Sequence, residues 1–302
     1  MNPYQIFRFV PLSVLQMLAR MIAWLMMLLP NLSITRTITT NLALIAPTLD
    51  HAKKQQLITE IIQNQCLSTV ESVKSWAMPP DWSIEQIKDV HNIDILQQGL
   101  ANPNGMLAIV PHLGTWEIMN AWLNQFGAPT IMYKPVKGKV TNDFVLQGRE
   151  RLNATLVPTD ASGVKAIFKT LKQGGFSIIL PDHVPEPSGG VIVPFFDIET
   201  LTSTLASKLA SKTRCALVGL SCIRRNDNKG FDIYCYKLDD PKLYDRKAEV
   251  SSAALNTAME TMINAHFSHY MWGYRRFKHI PNLGNPYIAT PSALNDFIKS
   301  KA

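Results

Sequence analysis

The sequence has few cysteines and none of the spacings that cysteine sites require. Its 302 residues contain four cysteines, and no two of them have the CxxC spacing of a zinc or redox site. This excludes a disulfide framework, and we expect neither a metal nor a cofactor. Three of the four fall in strand-like runs, where small buried side chains are their usual role: Cys215, Cys222 and Cys235.

The sequence has fewer acidic than basic residues, and the proportion of charged residues is low. Charged residues make up 18% of the chain and hydrophobic residues 46%, which excludes a disordered protein. Lysine and arginine number 30 against 23 acidic residues, for a formal net charge of +7. This predicts an anionic partner, with a phospholipid surface, a nucleic acid or an acidic protein as the alternatives.

The sequence also lacks an Ala-x-Ala site after its first apolar run, so a cleavable signal peptide is not expected. That run covers residues 9–29 and contains Gln16 and Arg20. As one helix it would measure about 31 Å, close to the thickness of a hydrocarbon core. A charge at Arg20 would cost at least a few kcal/mol in a spanning helix, so an interfacial helix is the alternative. We expect residues 1–30 to form a membrane-anchor helix of one kind or the other.

The organisation of the chain changes near residue 104. Residues 31–104 are rather polar, and apolar positions recur at helical spacing within residues 53–76, which predicts a helical segment. Short apolar strands then alternate with amphipathic helices, which predicts an α/β sheet covered by helices over residues 105–285. Residues 286–302 are assigned to a C-terminal tail. In such folds ligands bind at the carboxyl ends of the strands.

One strand-like run, residues 106–111, ends at His112, and Glu117 follows five positions later. A histidine at a strand end can take a proton from a hydroxyl, and a carboxylate can accept a hydrogen bond from its other ring nitrogen. The spacing alone is a weak motif, since the 7 histidines and 23 acidic residues of this chain would give it by chance about 0.5 times. The alternative is a helix N-terminus where Glu117 interacts with the helix dipole.

Two further positions are typical of a substrate pocket. Arg149, on a predicted helix, can bind a phosphate or stabilise an oxyanion, although a solvated helix face is the commoner role. Asp182 ends another predicted strand, before a Pro- and Gly-containing loop and the apolar run at residues 191–196. That arrangement fits a lid and a groove wall for a long hydrophobic ligand, with a surface loop before a core strand as the alternative.

Aromatic and basic residues alternate at residues 270–278, a segment that includes Arg275. Such a pattern is typical of nucleic-acid binding, of an interfacial membrane patch, or of a helix end with aromatic core residues. No recognised nucleic-acid module accompanies it, so we expect no nucleic acid as a partner.

Taken in order, these blocks resemble the bacterial lipid A biosynthesis late acyltransferases of the lauroyl/myristoyl type, within the glycerolipid acyltransferases that carry an H-x4-D/E motif. The resemblance covers roughly residues 5–281. It rests on residues 111–117, Arg149, Asp182, residues 191–196 and residues 270–278. This chain departs from the family at Thr115, where Asn is usual; threonine keeps a side-chain oxygen but loses the amide donor.

The resemblance implies transfer of a fatty acyl chain from acyl carrier protein to a hydroxyl of a phosphorylated glycolipid, a lipid A precursor. It implies a mixed sheet like that of glycerol-3-phosphate acyltransferase. It also implies an inner-membrane protein whose catalytic domain faces the cytoplasm. The alternatives are an acyltransferase for another membrane lipid and a non-catalytic membrane-associated binding protein. For the side chains, the resemblance implies His112 as the base and Glu117 as the acid that orients it. It implies substrate binding or charge stabilisation for Arg149, Asp182 and Arg275.

Overall fold

Apolar strands alternating with helices build the fold, in a computed structural model that describes residues 2–29 and 32–301. The strands are β1 (Ile87–His91), β2 (Met106–Ile109), β3 (Thr130–Tyr133), β4 (Thr155–Pro158), β5 (Phe176–Ile179), β6 (Gly190–Phe195), β7 (Ile198–Ser203), β8 (Ala216–Arg224) and β9 (Phe231–Lys237). The helices are α1 (Leu12–Met27), α2 (Ser33–Ile45), α3 (His51–Ala77), α4 (Pro80–Glu85), α5 (Ile93–Leu100), α6 (Trp116–Leu123), α7 (Lys139–Glu150), α8 (Ala161–Lys172), α9 (Leu205–Thr213), α10 (Ala248–Ala265) and α11 (Pro291–Lys301). Short 3₁₀ helices cover Pro3–Arg8, Asn124–Phe126, Pro187–Gly189, Pro241–Tyr244 and Phe267–His269.

Seven strands form a mixed sheet in the order β1-β9-β8-β2-β5-β3-β4. β9 is antiparallel to β8, and the other neighbouring pairs are parallel. All four residues of β2 are buried, and they alternate between two cores: Leu107 and Ile109 pack in one, Met106 and Ala108 in the other. A strand buried on both faces needs a continuous apolar run. The predicted α/β fold with a mixed sheet between helices is therefore confirmed.

The register of two central strands places the site. β2 and β5 pair in parallel, with Ile109 opposite Ile179. His112 and Asp182 each lie three residues beyond these positions. Because parallel strands in register end at one edge of a sheet, the two side chains leave the sheet side by side.

Three elements differ from what the sequence pattern predicts. β1 lies within residues 31–104, where only helices were expected, and α11 lies in the segment expected to be a tail. Most of the apolar run at residues 191–196 lies in β6, which pairs with β7 as an antiparallel hairpin. Its two-residue turn has positive φ at both Phe196 (50°) and Asp197 (59°), as a type I′ turn requires. Asn and Gly usually occupy the central positions of such turns, so the Phe-Asp sequence here does not predict this one.

The first helix is shorter than the apolar run predicts. α1 has 16 residues, about 24 Å, and packs Leu15, Ala19 and Ala23 against the body of the protein. Among residues 2–29 and 32–301, no helix combines the length and the apolar character needed to cross a membrane. The N-terminal anchor predicted for residues 1–30 is thus unsupported as a spanning helix. Within the run, α1 begins after Pro11, a residue that cannot occupy a helix interior, and it ends at Met27.

Phe195 joins the hairpin to the main core. Its fully buried ring lies 5.0 Å from the ring of Phe196 and 6.1 Å from that of Phe277. We predict that Phe195→Ala lowers the free energy of unfolding by about 3–5 kcal/mol, because it leaves a cavity that the core cannot close. Urea unfolding measures the loss. Phe9→Ala, at a ring that is 81% exposed, is the control and should change stability by about 0.5 kcal/mol or less. Equal losses in the two variants would contradict the described packing.

Candidate functional site

The two strand ends bring His112 and Asp182 into direct contact. One carboxylate oxygen of Asp182 lies 2.8 Å from Nδ1 of His112, and the other accepts the backbone N–H of His112 at 3.0 Å. The Asp182 side chain is buried, and that of His112 is 14% exposed. A carboxylate that holds both the ring and the backbone fixes the proton on Nδ1 and leaves Nε2 free for chemistry.

The charge of Asp182 is maintained in spite of its burial. Burial opposes ionisation, but the neighbouring His112, through its charge and its hydrogen bonds, outweighs this effect and holds the pKa of Asp182 well below its ordinary value. A buried negative charge beside Nδ1 stabilises a proton taken up by the ring. The pair is therefore equipped to accept a proton and to return it.

Two aromatic rings pack beside this pair. The ring of His183 stacks on that of His112 with 4.1 Å between ring centroids, and the ring of Tyr274 lies 4.6 Å from that of His183. Tyr274 also accepts the backbone N–H of Val184 at 3.0 Å, which holds the stack together. Desolvation, with the nearby His112, lowers the pKa of His183 below its ordinary value. At neutral pH His183 is therefore uncharged and can lie against the ring of His112.

The loop after His112 is clamped by backbone hydrogen bonds. Gly114 has a φ of +69°, and a Cβ at this position would lie 2.0 Å from the carbonyl oxygen of Cys222. Only glycine allows so close an approach. The N–H of Gly114 donates to His269 at 3.0 Å, and that of Thr115 donates to Cys222 at 2.8 Å. The loop is thus held between the end of β8 and the segment that precedes Tyr270.

Glu117 does not occupy the position predicted for it beside the ring of His112. Its buried carboxylate pairs with the guanidinium of Arg149 from α7, whose Nε also approaches at 3.4 Å. The reason is the turn at Gly114, after which Glu117 lies in the first turn of α6, within reach of α7. Asp182, predicted as a substrate-binding or charge-stabilising group, is the carboxylate that contacts His112.

The predicted substrate-binding residue Arg275 is not part of this arrangement. It donates to Ser33 at 3.1 Å, lies over the ring of Tyr287 and borders a different cavity, of about 750 Å³. Its neighbour Arg276 is buried instead and donates to the carbonyl of Leu201 at 2.7 Å. The segment consists of turns and bends rather than a helix or a strand, so spacing alone does not reveal which arginine points inward.

The aromatic residues of the same segment form core. Tyr270, Trp272 and Phe277 are each at most 2% exposed. Side chains buried to this extent cannot stack on bases or lie in a bilayer interface. Of the three alternatives for residues 270–278, aromatic core is the one that the structure supports.

A cavity of about 220 Å³ opens beside His112. Much of its wall comes from the polar face of α3, which the sequence analysis did not connect with the site. A polar helix face usually indicates solvent, so the pattern carried no signal. The described part of the chain holds no group of three or more His, Cys, Asp or Glu side chains placed to bind a metal ion. The cavity is lined by Gln65, Ser68, Thr69, Ser72, Trp76, His112, Gly114, Trp116, His269 and Met271.

Known proteins resemble this chain over most of its length. The model of a family described as bacterial lipid A biosynthesis acyltransferase matches residues 4–279. The lipid A biosynthesis lauroyltransferase of Escherichia coli (strain K12) is 28% identical over 246 residues, 80% of this chain and 78% of that protein. The lipid A biosynthesis palmitoleoyltransferase of the same organism is 23% identical over 242 residues, again 80% and 78% of the two chains. A phosphatidylinositol mannoside acyltransferase of Mycolicibacterium smegmatis is 28% identical over 150 residues, 48% of this chain and 49% of that protein.

His269 gives the site a pH-dependent stability. Burial, with the nearby charge of Arg224, lowers the pKa of His269 to about 3, whereas an unfolded histidine titrates near 6.5. Between these values the unfolded chain binds the proton and the folded chain does not, so stability falls as the pH drops from about 6.5 towards 3. We predict that His269→Gln reduces the slope in this window by up to about 1.4 kcal/mol per pH unit, measured by urea unfolding at several pH values. The exposed His279→Gln is the control. A wild-type slope in the His269 variant would contradict the assignment.

Proposed function

The chain belongs to the bacterial lipid A biosynthesis acyltransferases, and we propose that it transfers a fatty acyl chain from an acyl carrier protein thioester to a hydroxyl of a lipid A precursor. The observation that carries the proposal is the buried carboxylate of Asp182 on Nδ1 of His112. This contact leaves Nε2 of His112 as the base that such a transfer needs. The hydroxyl of the acceptor is then the nucleophile, so the protein supplies no serine or cysteine for this role.

In the proposed reaction, Nε2 of His112 takes the hydroxyl proton as the acceptor oxygen attacks the thioester carbonyl carbon. A C–O bond forms, and the carbonyl electron pair moves to oxygen. When the tetrahedral intermediate collapses, the C–S bond breaks and the thiolate leaves with its electron pair. The imidazolium, stabilised by Asp182, returns the proton to the sulfur, so that the products are an ester and a free thiol.

Glu117 and Arg149 act as a unit in this proposal. The guanidinium of Arg149 pairs with Glu117 and lies 4.9 Å from the ring of Trp116 and 5.3 Å from that of Tyr133. Within the described residues the structure gives Nη1 of Arg149 no hydrogen-bond partner. We therefore assign Glu117 the positioning of Arg149, and Arg149 the stabilisation of negative charge on a substrate oxygen or phosphate.

An acidic carrier protein as the donor is supported by the charge of the chain. Its net charge is +7. Three exposed lysines, Lys134, Lys137 and Lys139, lie in and just after the loop that follows β3, at the carboxyl edge of the sheet. Positive charge beside a site guides and orients an acidic partner. The same charge favours a phosphorylated acceptor.

We propose an interfacial position on the inner membrane with the sheet on the cytoplasmic side, and the exposed face of α1 supports the contact with a lipid surface. Its outer face carries an apolar stripe at helical spacing: Met17, Met21, Trp24 and Leu28 are 60%, 51%, 60% and 59% exposed. An exposed apolar stripe of this kind binds lipid surfaces by entering the boundary between headgroups and acyl chains.

A second acceptor is a specific alternative, because the chain is also similar to a phosphatidylinositol mannoside acyltransferase. The purified chain with an acyl carrier protein donor, given a lipid A precursor, a lysophospholipid or a phosphatidylinositol mannoside in separate reactions, distinguishes these acceptors. Preferred acylation of either of the last two would favour the alternative. No ester with any of them would favour a non-catalytic binding protein.

We predict that His112→Ala abolishes transfer and that Asp182→Asn lowers kcat by about 10²–10⁴-fold. The amide of Asn would donate to Nδ1, which shifts the ring proton to Nε2 and removes the base. Initial rates of ester formation measure both effects.

The matched control is Asp197→Asn, at an exposed position in the hairpin turn where Asn tolerates the positive φ. It should retain wild-type kcat. Wild-type transfer by folded His112→Ala would overturn the mechanism, and wild-type transfer by Asp182→Asn would overturn the role of Asp182.

The stripe on α1 leads to a separate prediction. Replacing Met17, Met21 and Trp24 together by Ser should weaken binding to phospholipid vesicles by about tenfold or more, because it removes apolar area that the lipid would bury. Co-sedimentation with vesicles that contain zwitterionic and anionic phospholipids measures this.

Three exposed apolar residues elsewhere, Val140, Ile192 and Ile288, provide a matched triple Ser control. The control should bind vesicles as the wild type does. Equal loss in the two triple variants would contradict a specific lipid-binding face on α1.

A further inference from the structure

A second buried carboxylate, Glu71 of α3, lies outside the pair of His112 and Asp182. Glu71 is fully buried and accepts hydrogen bonds from three side chains. Arg224 donates Nε and Nη2, the hydroxyl of Thr115 donates at 2.7 Å, and Nε2 of Gln16 donates at 2.9 Å. One carboxylate thus joins the end of β8, the loop after β2, and α1.

A contribution to stability does not explain why this buried cluster is present. A buried ion pair costs desolvation, and an apolar replacement of similar volume is often as stable. What the cluster does provide is a defined position for the groups around it. The loop that it holds is the one that carries His112.

We propose that Glu71 is a positioning residue for the reaction, which it supports by fixing Thr115 and through it the His112 loop; the inference rests on the function proposed above. Thr115 is three residues beyond His112, and the intervening Gly114 lines the cavity. The backbone of Thr115 is held by Cys222 and its side chain by Glu71. Neither Glu71 nor Thr115 needs to touch a substrate for this role.

The chemistry of Thr115 supports the assignment. Its hydroxyl has one proton, which the 2.7 Å contact gives to Glu71, so the nearby hydroxyl of Ser68 at 3.2 Å is the donor in the second contact. The one hydroxyl proton of Thr115 is thus committed to Glu71.

The same face of α3 also holds the segment with the apolar stripe. Gln16 on the buried side of α1 donates to Glu71, and Lys74, one turn along α3, donates to the carbonyls of Phe7, Arg8 and Val10 at 2.8–2.9 Å. Glu71 is thus a direct connection between α1 and the loop that carries His112.

The test compares two substitutions at Thr115. Thr115→Val keeps the shape but removes the donor, and it should lower kcat at least tenfold while leaving both KM values within twofold. Thr115→Ser restores the hydroxyl and should return kcat to within threefold of wild type. Steady-state transfer with acyl carrier protein donor and lipid A precursor gives these constants, and thermal unfolding confirms that both variants fold. Glu60→Gln, which neutralises a half-buried acid on the same helix outside the cavity, is the control for kcat.

Each outcome separates the inference from the function on which it rests. No transfer by the wild type would overturn both. Wild-type kcat in Thr115→Val, with His112→Ala inactive, would overturn only the positioning role. A rise in KM without a fall in kcat would show that Thr115 contacts a substrate instead, and equal losses in the Val and Ser variants would show that the hydroxyl is not what matters.

Glu71→Gln provides a second measurement, although it leaves Arg224 buried without a carboxylate and can fail to fold. Where it folds, the double variant with Thr115→Val should lose no more kcat than Glu71→Gln alone, because each change removes the same charge-assisted hydrogen bond from the Thr115 hydroxyl to a carboxylate. If the fold-losses in kcat of the two single variants multiplied in the double variant, Glu71 and Thr115 would act independently, which would contradict the proposed contact.

Discussion

The site depends on the two hydrogen bonds between Asp182 and His112. One oxygen holds the ring through Nδ1 and the other holds the backbone N–H, so that a single buried carboxylate fixes the place and the tautomer of the histidine. Its burial would favour the neutral acid, and the neighbouring histidine reverses this. Without the pair, Nε2 would have neither a fixed direction nor a partner for the proton it takes up.

The fold supports this pair from three sides. The register of β2 and β5 brings the two residues to one edge of the sheet. The end of β8 clamps the loop through Cys222, and α3 holds Thr115 through Glu71. These contacts join strands and helices that are far apart in the chain. The position of the proposed base therefore depends on β5, β8 and α3 as well as on its own loop.

The sequence allowed the sheet and the key strand ends to be predicted, because β2 and β5 are largely apolar and the polar residues His112 and Asp182 follow soon after them. It did not reveal which carboxylate faces His112, since a spacing of five residues says nothing about the turn at Gly114 that directs Glu117 towards Arg149. Glu71 was missed for a related reason. It lies on a polar helix face, which looks like a solvated one until the fold covers it. The positive-φ turn at Phe196 lacks the residues that usually mark it.

We propose that this chain uses the pair of His112 and Asp182 to acylate lipid A. Mass spectrometry of lipid A from cells that lack the gene, carrying either the wild-type chain or its His112→Ala variant at equal protein level, tests this most directly. We expect a lipid A species heavier by one fatty acyl group with the wild type and none with the variant. Identical lipid A profiles from the two strains would contradict it.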